Sequence, residues 1–285
     1  MESGSVFDAL PPREIAAKAE DVGVAKAQLG FVPTLLLAVL AGAFIAMGAV
    51  FSTTTVTGAT GSLPFGVTRL LAGLTFSLGL ILVVIAGAEL FTGNNLLLMA
   101  FASGKISLLS LIRNWTIVYV GNFLGSTATA IGMYLAGLHQ MGRGEVGRTA
   151  MRIATEKCQL SWDQAFVRGV FCNALVCLAV WLCMSCRSTG DKILAIIFPI
   201  TAFVAAGFEH SVANMYFVPA ALFIKQGAGA DWLGTIGIDV AASDALTWSR
   251  FFSGNLVPVT LGNILGGGIL VGAVYWVVYC RKVRG

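Results

Sequence analysis

Charged side chains are scarce in this chain: they make up 11% of 285 residues, 18 Lys and Arg against 14 Asp and Glu. A soluble globular domain carries about 25%, so a surface that faces water over most of the molecule is excluded. The net charge of +4 is too small and too dispersed to point to nucleic acid. Histidine is rarer still, with only His139 and His210. The six cysteines therefore have few imidazole partners, and four of them fall within one apolar stretch. Cys183 and Cys186 have the spacing of a CxxC pair, but on a helix they read as small polarizable packing residues. No metal and no cofactor is expected. Residues 1–29 mix charges of both signs and hold no apolar core, so no cleavable leader is expected either.

What is present is apolar. Hydrophobic residues are 57% of the chain and mean hydropathy is +0.84, the composition of a polytopic membrane protein. Six apolar stretches are predicted to cross a bilayer: residues 33–56, 70–104, 114–138, 169–186, 193–224 and 255–280. The fifth would make a straight helix of about 48 Å against a hydrocarbon core of about 30 Å. At its middle stand Glu209 and His210, its only charged or chargeable residues. The second is too long as well, and Glu89 interrupts it. Both are expected to break near the midplane and to expose backbone N–H groups to a cavity. Each Glu is a candidate cap for such an end, the role expected of Glu89.

The chain falls into an N-terminal segment, 1–32, and a transmembrane domain, 33–285. Ile15, Ala19 and Val22 share a face of the segment, which reads either as a short helix on the membrane surface or as a solvated terminus. Within the domain two halves, about 33–138 and 163–280, resemble each other. AGxE with an Asn five residues on occurs at 86–94 and again at 206–214. GN followed by Gly three residues later occurs at 121–125 and at 262–266, inside the third and sixth stretches. Three spans per half is an odd number, so the halves must enter the membrane in opposite senses, an inverted repeat. Six crossings place both termini on one side, which carries more of the 18 basic residues than the other. By the positive-inside tendency that side is the cytoplasm.

The runs GFEHSVANM at 207–215, GAELFT at 87–92 and LVPVTLGNILGGG at 256–268 resemble the formate/nitrite transporter family of small-anion channels, over nearly the whole chain. The resemblance implies an aquaporin-like six-helix protomer with helices two and five broken, a homopentamer in the bacterial cytoplasmic membrane, and a pore through each protomer. It makes His210 the central pore residue and sets Thr92 opposite it. It places Lys157 at the outer vestibule and gives Asn173, Asn214 and Asn263 as polar lining. Leu80 and Leu90 match one apolar constriction, Phe76 and Phe203 the other. The substrate it implies is a small weak-acid anion, formate first, together with protons. The run Thr92-Gly93-Asn94-Asn95 departs from the Thr/Ser-rich form of formate channels, so nitrite and hydrosulfide stand as the alternatives.

Each residue also has a plainer reading. His210 as a buried structural histidine is disfavoured by its place at membrane depth beside a helix break. Lys157 is either an interfacial lysine snorkelling into headgroups or a group that attracts anions. His139 reads as a surface residue of the loop after the third span. A membrane enzyme using Glu209 and His210 as acid and base lacks a nucleophile, a cofactor motif and a soluble catalytic domain. A neutral-solute channel lacks the Asn-Pro-Ala pair at its breaks. Gly121, Gly125, Gly266, Gly267 and Gly268 are expected to offer faces for close contact between protomers.

Overall fold

The computed structural model describes residues 9–281 apart from 236 and 238–243, and among these residues there are helices and no strands. The helices are α1 Pro12–Gln28, α2 Phe31–Val56, α3 Phe65–Ala86, α4 Gly93–Ala102, α5 Leu108–Leu135, α6 Glu145–Cys158, α7 Trp162–Ser185, α8 Thr189–Ala206, α9 Ser211–Gly227, α10 Ala230–Thr235 and α11 Arg250–Cys280. Five of them, α2, α3, α7, α8 and α11, are long and apolar enough to cross a membrane. Their outward faces carry exposed Leu, Phe, Val and Ile, which lipid solvates as readily as a protein core would.

The second and fifth apolar stretches are each two helices with a short link between them. α3 ends at Gly87 (φ 81°) and α8 ends at Gly207 (φ 75°). Both glycines occupy the left-handed region that L side chains rarely adopt, which stops each helix at the AGxE motif. The chain starts again as α4 and α9.

α2 packs on α3 and α5; α7 packs on α8 and α11; α3 and α8 pack on each other. The α2–α5 and α7–α11 pairs come close through glycine. A side chain on Gly125 would overlap the carbonyl oxygen of Val39, and one on Gly266 that of Val170. Gly121 likewise faces Ala38, and Gly267 faces Asn173 and Cys177. These glycines are therefore occupied inside the protomer and are not the faces for assembly that the sequence led one to expect. α1 also differs from expectation. Ile15 and Ala19 are buried with Ala16 against Leu96, Met99, Trp181 and Val271, so this face is covered by protein. His139, expected at the surface, is 7% exposed, stacked on Tyr134 at 4.9 Å and edge-on to Trp232 at 5.1 Å. Burial pushes its imidazole below its ordinary pKa.

Candidate functional site

The two breaks meet near the centre, and their polar groups are held by two matching sets of bonds. In one set, the Glu89 carboxylate accepts from Asn94 Nδ2 at 2.7 Å and pairs with Lys26 Nζ at 2.8 Å. Asn94 Nδ2 also reaches Asn114 Oδ1 at 3.0 Å, and Asn114 donates to the Lys26 carbonyl at 3.3 Å. Asn122 donates to the carbonyls of Ala38 and Glu89 and accepts from the Phe91 N–H.

The other set repeats these contacts. Glu209 accepts from Asn214 at 2.7 Å and pairs with Lys157 at 2.8 Å. Asn214 reaches Asn255 at 2.7 Å, and Asn255 donates to the Lys157 carbonyl at 3.0 Å. Asn263 donates to the carbonyls of Gly169 and Glu209 and accepts from the Ser211 N–H. A buried carboxylate is tolerable only when it is paired and hydrogen-bonded, and both sets meet that condition.

The sequence suggested a cap for each glutamate, but the carboxylates bond to side chains. The cap of α9 is His210, whose Nδ1 accepts from the Ala213 N–H at 3.0 Å. That bond fixes the tautomer, because a ring nitrogen that accepts carries no hydrogen. The single ring proton sits on Nε2, 2.9 Å from Thr92 Oγ1, so Nε2–H donates and the threonine hydroxyl keeps its own hydrogen. The Thr92 carbonyl accepts from Asn173 Nδ2 at 3.2 Å and from Cys177 Sγ at 3.2 Å. His210 and Thr92 are 3% and 0% exposed, and they come from opposite breaks.

Two chambers approach this pair. One, of about 580 Å³, is lined by Phe76, Phe203, Lys157, Glu209 and His210, with Arg69, Arg152, Glu156 and Arg168 further out. Phe76 and Phe203 close it edge to face at 5.7 Å, and Phe203 stacks on the His210 ring at 5.9 Å. The other, of about 310 Å³, is lined by Lys18, Lys26, Leu80, Glu89, Leu90, Asn94 and Lys192. Leu80 and Leu90 are each 2% exposed at its inner end. Each chamber thus joins charged walls to apolar ones; His210 lines the larger, and Leu90 and Gly93, which flank Thr92 in the chain, line the smaller.

Of the residues named from sequence, His210, Thr92, Glu209, Lys157, Phe76, Phe203, Leu80 and Leu90 come together here. Asn173, Asn214 and Asn263 line neither chamber. Their amide nitrogens donate the bonds just described, and Asn173 also holds Asn95 Oδ1 at 2.8 Å and the Asn263 carbonyl at 2.7 Å, while the buried Asn214 Oδ1 has no partner among the described residues. Lys26 was missed because α1 was read apart from the membrane domain. Its signal was present: a lysine in the last turn of α1, in the position that Lys157 occupies before the second half.

A family model described as "Formate/nitrite transporter" matches residues 13–277. "Formate channel FocA" of Escherichia coli K12 is 42% identical over 282 residues, 99% of each chain. The protein of that name from Haemophilus influenzae is 41% identical over 264 residues, 93% of each. A solved structure titled "Pentameric formate channel with formate bound" superposes with a TM-score of 0.83 at 47% identity, covering 88% of this chain and 98% of that one.

Proposed function

The chain belongs to the formate/nitrite transporter family, and from that premise we propose that it is a channel for formate, an integral membrane protein and not an enzyme. The observation that carries the reading is the buried His210–Thr92 pair between two cationic chambers, each closed by apolar side chains. An anion that enters an apolar constriction loses its hydration, at a cost of several kcal/mol or more. The Thr92 hydroxyl, whose own hydrogen is left by the His210 bond, is a donor for one carboxylate oxygen at that point. Once the anion takes a proton it passes Phe76 and Phe203, or Leu80 and Leu90, as a neutral acid. The one ring proton of His210 is engaged with Thr92, so the proton is taken from solution, a hydronium ion in the chamber protonating the carboxylate and leaving water.

The matching bonds around Glu89 and Glu209 support a six-span protomer built as an inverted repeat, with its second and fifth spans broken. They also extend the likeness to α1 and α6, which supply Lys26 and Lys157. We place both termini in the cytoplasm of a bacterial inner membrane by the balance of basic residues, and five protomers in the assembly by likeness to the pentameric neighbour.

Flux into proteoliposomes, with formate, nitrite and hydrosulfide compared from acid to neutral pH, tests the reading. Formate uptake that rises with external acidity is expected. Uptake of nitrite or hydrosulfide at many times the formate rate would reassign the anion, and glycerol swelling without anion uptake would overturn the reading.

A further inference from the structure

The charge of Lys157 in the 580 Å³ chamber is balanced by a carboxylate. Four cations and two carboxylates line that chamber: Arg69, Arg152, Lys157 and Arg168 against Glu156 and Glu209. Lys157 is neutralised by Glu209 at 2.8 Å and Arg152 by Glu156 at 3.0 Å. Arg69 and Arg168 bond to carbonyls instead. Arg69 Nε donates to Ala205 O at 3.1 Å and its Nη2 to Val204 O; Arg168 Nη1 donates to Gly207 O at 3.4 Å. Among the described residues neither forms an ion pair, so the two positive charges in excess are theirs.

We propose that Arg69 and Arg168 form a staging site in which a small monocarboxylate is held before it reaches Phe76 and Phe203; the proposal rests on the transport reading above. The two guanidiniums converge on one point. A side chain built on Gly207 would start 3.5 Å from Arg69 Nη2 and 3.9 Å from Arg168 Nη1. The residue there is glycine, so the space between the forks is open. Two like charges this close repel each other, and the carbonyl end of α8, where the helix dipole is negative, offsets part of that repulsion. An anion between them offsets the rest. Arg69 engages two of its nitrogens with backbone and Arg168 one, which leaves N–H donors on both forks for a carboxylate, in the planar geometry that arginine offers and lysine does not. The break therefore has a second use: the carbonyls freed where α8 stops hold the arginines that collect the substrate for the histidine three residues on.

Arg168 is the better residue to change, because it is exposed and makes one long bond, whereas Arg69 ties down two carbonyls. Formate influx through Arg168→Gln and Arg168→Lys channels in proteoliposomes is compared with the parent at ionic strengths of about 0.01 M and about 1 M. Arg168→Gln is expected to lower influx about fourfold at low salt, the effect of one unit charge at roughly 5 Å in a water-like dielectric. The deficit disappears at high salt, where screening is nearly complete. It appears as a raised half-saturation concentration with the maximal rate unchanged. Arg168→Lys keeps the salt response of the parent. Influx through Arg168→Gln equal to the parent at low salt would overturn the proposal. So would a deficit of the same size at high salt, which marks a purely structural cap. A parent channel that carries no formate at either salt takes the transport reading down with it.

Discussion

His210 is three groups in one: a ring in a stack with Phe203, an acceptor that caps α9, and a donor to Thr92. His210→Phe keeps the ring and removes both nitrogens, so α9 loses its cap at about 1 kcal/mol and Thr92 loses its partner. Formate flux in proteoliposomes is expected to fall at least about tenfold, the loss of a hydrogen bond of roughly 1.4 kcal/mol at the bottleneck, with the oligomer intact in detergent. Thr92→Val removes the hydroxyl that meets the carboxylate and should impair the same step at least as much, while α9 keeps its cap. A His210→Phe channel with the rate and pH profile of the parent makes His210 structural. Lys157 answers to a different measurement. Its ammonium holds a carboxylate whose side chain is 5% exposed, so Lys157→Gln leaves the buried Glu209 carboxylate with its amide partners but no cation, a loss of about 3–5 kcal/mol. Thermal unfolding in detergent should show a clear drop for Lys157→Gln and recovery of most of it in Lys157→Gln/Glu209→Gln. Equal melting of parent and single variant would show that the pair contributes nothing.

Among the elements, α1 is tied to the rest of the protein by polar bonds as well as by its apolar face. Glu20, buried in its last half, pairs with Lys105 at 2.8 Å and accepts from Ser103, whose hydroxyl also takes Trp276 Nε1–H at 2.7 Å. Burial by itself would raise the Glu20 carboxyl; the bonds from Lys105 and Ser103 outweigh it and leave the pKa below its ordinary value. A depressed carboxyl adds stability above the unfolded value of about 4.3, and that stability is lost as pH falls through the folded value. α1 docking should therefore hold at neutral pH and weaken only below about pH 4. Hydrogen exchange or limited proteolysis along Pro12–Gln28 measures this. In Glu20→Gln the protection should already be reduced at neutral pH, and unchanged protection in the variant would show that the apolar face alone suffices. The short links at Gly87 and Gly207 serve the opposite end: they stop two helices where a carboxylate can turn inward.

On the scale of the whole molecule, the outward faces of α2, α5, α8 and α11 carry large exposed apolar side chains, and lipid and neighbouring copies must divide them. The glycines at helix contacts are already closed within the protomer, and the outward surface is left to larger side chains such as Leu36, Phe198 and Val278. We expect detergent-solubilised protein to have the mass of five copies of the 29.8 kDa chain. A species of one or two copies, measured by light scattering with the detergent subtracted, would reject the pentamer.

The sequence by itself determined that the chain is built of apolar helices, because hydropathy is a sum over neighbours in the chain, and it marked Gly87 and Gly207, where α3 and α8 stop, because Glu and Gly inside a long apolar run have few uses. It also pointed to His210, Glu209 and, by likeness, Thr92. It did not reveal that Lys26 mirrors Lys157, that Asn173, Asn214 and Asn263 hold the breaks without lining a chamber, or that His139 is buried. Nor did it separate the paired cations from the unpaired ones at Gly207. Each of these depends on which groups from distant segments come within about 3 Å of one another. A local pattern of side chains carries no record of that distance; only the packing of α1 and α6 against the breaks decides it.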